Sequence, residues 1–169
     1  LAAEALQRIV AEHPQSIFRE RAGREMPREF FEADQLERAE EAARQYLANA
    51  PSGAGRGEVH LTLAETLLRA GRTDEAEERL RRLWLAMPSS PESERAKDLL
   101  AAIPSARAFT ADEEFRRAAA LYQLGRHALA IPELIPFAVD GSPHQALARL
   151  MLGVSGFNVR QYSQATQWL

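Results

Sequence analysis

The densest group of residues able to do chemistry is a run of carboxylates and arginines between positions 75 and 82. Three arginines fall within four positions, and guanidinium groups placed in this way can bind a phosphate. Each arginine also follows a glutamate by four residues, in the pairs Glu75/Arg79, Glu77/Arg81 and Glu78/Arg82. Such pairs lie on one face of a helix and stabilise it by about 0.2–0.5 kcal/mol each. We therefore interpret the run as a solvated helix face and not as a phosphate site.

The histidines are the other candidates for chemistry, since imidazole binds metals and transfers protons. They are His13, His60, His127 and His144, and no two of them have a ligand spacing such as His-x-x-x-His. The chain has no cysteine, which excludes disulfides, cysteine-ligated zinc and thiol nucleophiles. It also lacks a Gly-x-Ser-x-Gly sequence and a Walker-type phosphate loop. We predict no catalytic residue, no metal and no cofactor in this segment.

Composition limits the class of partner. The net charge of −3 over 169 residues provides no basic field for phosphates, so we predict that the chain does not bind nucleic acid. No apolar run approaches the roughly 20 residues that span a bilayer, so we predict no transmembrane segment. The chain begins without methionine and stops inside an amphipathic pattern. We expect it to be part of a longer protein, so the lack of a signal sequence says little about location.

A repeat organises the elements that would position any site. An alanine followed twelve residues later by a proline occurs as Ala39/Pro51 and Ala76/Pro88, with weaker echoes at Ala2/Pro14 and at Ala130 before Ser142-Pro143. A small residue inside a helix and a breaker after it recur in this way when one helical hairpin is stacked several times. No segment alternates with the period of a strand. The sequence therefore predicts a single all-α domain over residues 1–169, an irregular solenoid of helical hairpins.

The repeats differ in quality. Residues 1–51 form a degenerate repeat, with a helix that ends at Pro14, an irregular charged stretch at 15–26, and one continuous helical pattern from Arg28 to Asn49. A loop rich in glycine follows, made by Pro51, Gly53, Gly55 and Gly57. The clearest repeat covers 58–88, where Gly71 ends the first helix and Thr73 caps the second.

The second half holds an insertion and two more repeats. Ser90-Pro91 begins an inserted helix over 91–103, by the preference of serine for the N-cap and proline for the first turn. Repeat 111–138 opens with a capping box at Thr110 and Glu113, and its second helix must bend or shorten at Pro132 and Pro136. Ser142-Pro143 caps the last repeat, 143–169, which is truncated.

Aligned on their alanines, these repeats resemble the tetratricopeptide repeat (TPR). The best of them carries that motif's small, glycine, alanine, apolar and proline positions at Ala64, Gly71, Ala76, Leu80, Leu83 and Pro88. Two further repeats match in part, one from Ala118 through Gly125 to Ala130 and one around Ala165. The resemblance implies a TPR-like solenoid, in which small residues let the two helices of a hairpin approach closely.

A narrower resemblance covers residues 76–169. The order of Arg-x-x-Trp ending a helix at Trp84, Pro-x-Ser-Pro at 88–91, an extra helix and an LG…RQY..A hairpin resembles the superhelical N-terminal region of soluble lytic transglycosylases. It implies a periplasmic parent enzyme that cleaves the glycan of peptidoglycan, with its catalytic domain beyond Leu169. The family's catalytic Glu-Ser pair is not matched by Glu92-Ser93, which lies in a capped first helical turn without apolar surroundings.

If the hairpins stack as in TPR proteins, the first helix of each hairpin lines a concave face. The polar and aromatic residues predicted there, as binding residues, are Glu65, Arg69, Asp112, Tyr122, Gln123 and Asn158. The same face of the last hairpin includes Leu147, Leu150 and Phe157, and we expect apolar residues such as Leu61, Phe115 and Leu150 to pack between repeats.

Two functions fit this pattern. The first is the non-catalytic scaffold of a periplasmic lytic transglycosylase, with a peptidoglycan glycan strand or a protein as its partner. The second is a TPR-type adaptor that binds protein segments in envelope assembly, secretion or regulation, and that could be cytoplasmic. Whether the parent is an enzyme stays open at this stage, because this segment offers no active site.

Overall fold

The computed structural model describes residues 2–49 and 55–169, and within them the chain forms ten α-helices and no strand. The helices are α1 (Ala2–Glu12), α2 (Arg19–Glu32), α3 (Leu36–Asn49), α4 (Arg56–Arg69), α5 (Thr73–Ala86), α6 (Pro91–Ala101), α7 (Ala111–Gln123), α8 (His127–Leu134), α9 (Gln145–Asn158) and α10 (Tyr162–Trp168). A 3-10 turn, Ile135–Phe137, extends α8. The predicted all-α fold class is confirmed.

Four of the interhelical turns share one conformation. Asp34, Gly71, Gly125 and Arg160 have φ of 57°, 76°, 68° and 64°, and each lies five positions before a buried alanine of the next helix, Ala39, Ala76, Ala130 or Ala165. The residue after each of them donates its backbone N–H to the carbonyl five residues back, as Gln35 to Phe30, Arg72 to Leu67, Arg126 to Leu121 and Gln161 to Gly156. This is the Schellman motif, which ends one helix and turns the chain into the next. The described residues thus contain four hairpins with equivalent turns, α2/α3, α4/α5, α7/α8 and α9/α10.

The first hairpin corrects the prediction of a degenerate start. The stretch 15–26 is not irregular throughout, because α2 begins at Arg19 and runs through the buried Pro27 to Glu32. The helical pattern predicted from Arg28 to Asn49 is two helices, since Asp34 takes the left-handed conformation at the place where other hairpins have glycine. Aspartate tolerates this conformation better than most side chains, so the turn forms without glycine.

The structure describes only part of the loop predicted from Pro51 to Gly57. Pro51 and Gly53 lie outside the described residues. Gly57 is helical, because α4 begins at Arg56, and a Cβ at this position would lie 3.0 Å from Glu92 Oε2 of α6. Glycine here therefore allows α4 and α6 to approach closely.

The predicted helix starts are mostly correct. Ser90 Oγ accepts from the Ser93 N–H at the start of α6, and Thr110 forms both hydrogen bonds of a capping box with Glu113 at the start of α7. The last repeat is different: Ser142 Oγ accepts from the His144 N–H in a local turn. Helix α9 begins at Gln145, two residues later than the start at Pro143 that Ser142-Pro143 predicted. Pro132 lies inside α8, which is only eight residues long, as the two prolines predicted.

Contacts divide the chain into two compact units. The first unit comprises Leu1–Trp84 with Ser90–Ala106, and the second comprises Leu85–Ser89 with Arg107–Leu169. The single domain predicted over 1–169 stays a prediction. In the first unit one cluster joins α1, α2 and α3 through Met26, Phe30 and Ala39, and another joins α3, α4 and α5.

The core of the second unit is formed by α7, α8 and α9, with fully buried Leu121, Leu134 and Ala148. Trp168 packs against this core, and Trp84 is buried in the first unit. Phe115 is also buried, but Leu150, which was expected to pack between repeats, is 52% exposed.

Candidate binding surfaces

Charged side chains join the first helices of the hairpins in the first unit. Glu65 on α4 accepts from Arg28 of α2 at 2.7 Å and lies 3.8 Å from Arg95 of α6. Its side chain is only 15% exposed. Glu65, predicted to bind a partner, therefore also links three helices.

Arg69 has a similar role one turn further along α4. Its guanidinium carbon lies 3.9 Å from the centre of the Phe31 ring, and Nη1 donates to the Phe31 carbonyl at 3.1 Å. Asp34 Oδ1 lies 3.6 Å from Arg69 Nη1 and adds an ion pair to these contacts. The side chain stays 46% exposed, so its outer part can still meet a ligand. A cation over an aromatic ring contributes about 0.5–1 kcal/mol at such a partly exposed site.

The predicted residues on α7 lie at opposite ends of that helix. Asp112, at the start, accepts a hydrogen bond from His144 Nε2 at 2.8 Å, and the His144 ring stacks on Phe115 with 4.0 Å between ring centres. Tyr122, at the other end, packs edge-on against His127 and against the core of the second unit, while Gln123 is exposed.

An apolar stripe on α9 is the most exposed hydrophobic feature near the predicted residues. Leu147, Leu150 and Phe157 are 46%, 52% and 65% exposed, and the spacing of three and seven residues puts them on one side of the helix. Tyr162 of α10 is 54% exposed and contacts Phe157 edge-to-face at 5.4 Å. Asn158 lies beside this stripe and donates to the Val154 carbonyl of its own helix at 2.8 Å. We call Leu147, Leu150, Phe157 and Tyr162 the apolar stripe.

The six predicted site residues are thus distributed over both units. Glu65 and Arg69 share one face of α4 in the first unit, and the other four are on α7 and α9 of the second. Their role in binding stays a prediction. The sequence predicted that Leu147, Leu150 and Phe157 lie on the concave face. Tyr162 was only one of the residues that identified the last hairpin.

The charged run 75–82 is only in part the solvated face that was predicted. Glu78 and Arg82 form the expected ion pair. Glu75 pairs with Arg72 at 2.6 Å and lies 3.8 Å from Arg44. Arg81 is 7% exposed, so the interpretation was wrong for this residue. Arg81 lies three residues before the buried Trp84, so its side chain is next to the face of α5 that packs in the core.

Glu92 and Ser93, set aside as a catalytic pair, take part in helix packing. Ser93 is fully buried, and its hydroxyl donates to the Trp84 carbonyl at 3.3 Å. Across residues 2–49 and 55–169, no three histidine, aspartate or glutamate side chains are grouped so as to hold a metal ion. No helix in this part of the chain is long and apolar enough to cross a membrane.

His60 on α4 is partly buried, and its environment disfavours the protonated form. Burial lowers its pKa, and the charges of Arg56 and Arg79 lower it further. The unfolded chain binds a proton at this residue near pH 6.5, and the folded chain binds it only at a lower pH. Acidification through this window therefore favours the unfolded state until the pKa of the folded state is passed.

Replacing His60 with glutamine should remove this pH dependence. We expect the free energy of unfolding of the wild type to fall more between pH 7.5 and 5.5 than that of His60→Gln, as measured by urea titration at both pH values. His13→Gln, at an exposed position, is the matched control. An equal fall in wild type and His60→Gln would show that this histidine contributes nothing to the acid sensitivity.

Comparison with known families agrees with the geometry of the hairpins. Residues 30–103, from the end of α2 through α6, match the family model of the tetratricopeptide repeat. No curated protein matches the sequence significantly. The match spans two of the four Schellman turns, those at Asp34 and Gly71, and the other two have the same hydrogen bonds outside it. The chain therefore has a TPR-like fold, an irregular all-α solenoid of helical hairpins of the kind that serves as a scaffold for protein–protein interaction.

Proposed function

We propose that this chain binds a protein partner through the apolar stripe, with Asn158 at its edge. Exposed leucine and aromatic side chains in one row are the feature that carries the proposal. Monomeric proteins rarely expose several large apolar side chains together unless the patch meets a partner. Aromatic residues are also enriched among those that dominate the energy of protein interfaces.

The polar residues at the other predicted positions suit a supporting role. Asp112, Gln123 and Asn158 are exposed, and partly exposed polar groups give an interface its orientation more than its affinity. Tyr122 is half-buried and held by the core, which makes it a rigid contact. Glu65 and Arg69 are held by contacts between helices and can meet a ligand only with their exposed parts.

Site-specific photocrosslinking in the native host tests this proposal. A benzophenone amino acid is introduced at Leu150 or Phe157, and at Ala128 as an exposed control on α8. We expect crosslinks to a defined protein from the two stripe positions and at least tenfold less from Ala128. Equal crosslinking at all three positions, or none at the stripe, would refute the proposed binding surface.

A second candidate is narrower: the scaffold region of a periplasmic peptidoglycan lytic transglycosylase. The observation that favours it is α6, which lies between the second and third hairpins as an inserted helix, in the order that resembles that family. Under this proposal the chain is periplasmic, and a glycan strand is a further partner. The adaptor proposal allows a cytoplasmic location.

Sedimentation with purified peptidoglycan sacculi separates the two. The transglycosylase scaffold predicts that the chain cosediments with sacculi and that the full reading frame encodes a lysozyme-like domain with a catalytic glutamate after Leu169. A reading frame without such a domain would exclude this candidate and leave the adaptor.

A further inference from the structure

A cavity of about 230 Å³ lies between α1, α2 and α3 of the first unit, whereas the apolar stripe belongs to the second unit. Its inner wall is apolar and is formed by Val10, Met26 and Ala42, of which Met26 and Ala42 are buried. Its rim is polar and comprises Arg19, Glu20, Gln45, Tyr46 and Asn49. An apolar cavity of about 150 Å³ is enough to bind a benzene ring, so this one can hold a single aromatic side chain.

Gly23 keeps the cavity open. A Cβ at this position would lie 3.4 Å from Cδ2 of Tyr46 and 3.9 Å from Cγ2 of Val10, both of which line the cavity. Those distances are ordinary contacts, and Gly23 is inside α2, where glycine costs about 0.5–1 kcal/mol relative to alanine. A glycine in mid-helix thus lowers local stability here and leaves space that a side chain would fill.

The Tyr46 side chain is held as one wall of this space. Its hydroxyl donates to Glu20 Oε1 at 2.8 Å, across from α3 to α2. Burial raises the pKa of Tyr46, and the bond to Glu20 raises it further, so the hydroxyl keeps its proton. Tyr46 lines the cavity, where an aromatic guest can contact its ring edge-on or offset.

Charge beside the cavity indicates the chemistry of the guest. Glu37, Glu41, Gln45 and Asn49 follow one another at intervals of four along one exposed face of α3. Gln45 lines both the cavity and a shallow depression that is otherwise lined by Glu37, Glu40, Glu41 and Arg44. Glu40 pairs with Arg44 at 2.6 Å and with Arg72 at 2.7 Å, so the acidic charge of the depression is that of Glu37 and Glu41.

We propose that this cavity accepts an aromatic side chain of a basic partner segment, whose cationic side chains lie along Glu41 and Glu37. The spacing fits an extended peptide, because Glu41 and Glu37 are about 6 and 12 Å from Gln45 along the helix axis, at 1.5 Å per residue. Cations two and four residues from the aromatic residue are about 7 and 14 Å away in an extended chain. The site rests on the proposed function as a protein scaffold, but it is separate from the apolar stripe.

The test uses the whole 169-residue chain and the synthetic peptide Lys-Ser-Lys-Ser-Phe-Ser-Lys-Ser-Lys, which presents the cations in either chain direction. Binding is followed by NMR through the Gly23 amide and the Met26 methyl group. We expect saturable shifts of both signals. Replacing the phenylalanine of the probe with alanine should weaken binding at least tenfold, and replacing its lysines with glutamates at least fivefold.

Two variants test the position of the aromatic side chain. Gly23→Leu fills the cavity and should abolish the shift of Met26, whereas Ala101→Leu, which adds the same side chain at an exposed site of α6, should bind like the wild type. If Gly23→Leu does not fold, Gly23→Ala should be at least as stable as the wild type and bind the probe more weakly.

The alternatives give different results. Equal binding of the alanine probe, or undiminished binding by Gly23→Ala and Gly23→Leu, would overturn the cavity site. Shifts confined to the apolar stripe would also overturn it and leave the proposed function standing. If Leu150 and Phe157 give no crosslinks while the Met26 shift is intact, the proposal for the apolar stripe is refuted and the proposal for the cavity stands.

Discussion

Replacing Arg117 with alanine should lower the free energy of unfolding by about 3–5 kcal/mol, the cost of breaking a buried ion pair by removing one partner. Arg117 on α7 is only 2% exposed. Its Nε lies 3.0 and 3.1 Å from the two carboxylate oxygens of Glu133 on α8, and Nη2 donates to the Pro88 carbonyl at 3.3 Å. The variant removes the donor from a buried carbonyl and from a carboxylate whose side chain is 31% exposed, so the loss should lie toward the lower end of this range.

Urea unfolding followed by the fluorescence of Trp168, which packs in the same unit, measures this loss. Arg82→Ala is the matched control, because Arg82 is 76% exposed and pairs only within its own helix, and it should cost less than about 0.5 kcal/mol. A double-mutant cycle with Glu133→Ala isolates the pair: the double variant should lose less than the sum of the two single variants. Additive losses would mean that Arg117 acts through packing and its bond to the Pro88 carbonyl, and not through Glu133.

The two hairpins with glycine in the turn could be predicted from the sequence. The turns of the two hairpins without glycine were harder to predict. Gly71 and Gly125 signal a left-handed residue in the sequence, and both turns lie where they were predicted. Asp34 and Arg160 take the same conformation without glycine. At Asp34 the sequence shows an unbroken helical pattern, so the turn had to be found from its backbone geometry. The interval from each of these residues to the following buried alanine is constant, and this regularity offers a usable signal for such turns.

Contacts between distant segments limited what could be predicted of the candidate site. The cavity needs the end of α1, the start of α2 and the end of α3 together, and its lining residues carry no common motif in the sequence. Arg117 and Glu133 are 16 residues apart on different helices, so the rule of pairs four residues apart does not find them. In contrast, Leu150 and Phe157 lie on the helix face that the repeat register predicted, because one helix defines that face.

Leu67→Ala is expected to be the other strongly destabilising change, with a loss of about 2–5 kcal/mol from removed apolar contacts and the cavity left behind. Leu67 on α4 is fully buried and packs with Ala43, Val59, Leu63 and Ala76. Its carbonyl also accepts the N–H of Arg72 in the Schellman turn, and this backbone bond is kept in the variant. The loss therefore reports side-chain packing between α3, α4 and α5, and urea unfolding followed by the fluorescence of Trp84 measures it.

Replacing leucine with alanine on the apolar stripe should cost little stability and should instead weaken binding. Leu150 is 52% exposed, so Leu150→Ala gives up less apolar burial and should cost less than about 1 kcal/mol. If the stripe binds a partner, Leu150→Ala should nevertheless reduce crosslinking from Phe157 several-fold, while Leu67→Ala should leave it unchanged at temperatures where the chain stays folded. A large loss of stability in Leu150→Ala would mean that this side chain supports the fold, and the exposed row would then no longer require a partner to explain it.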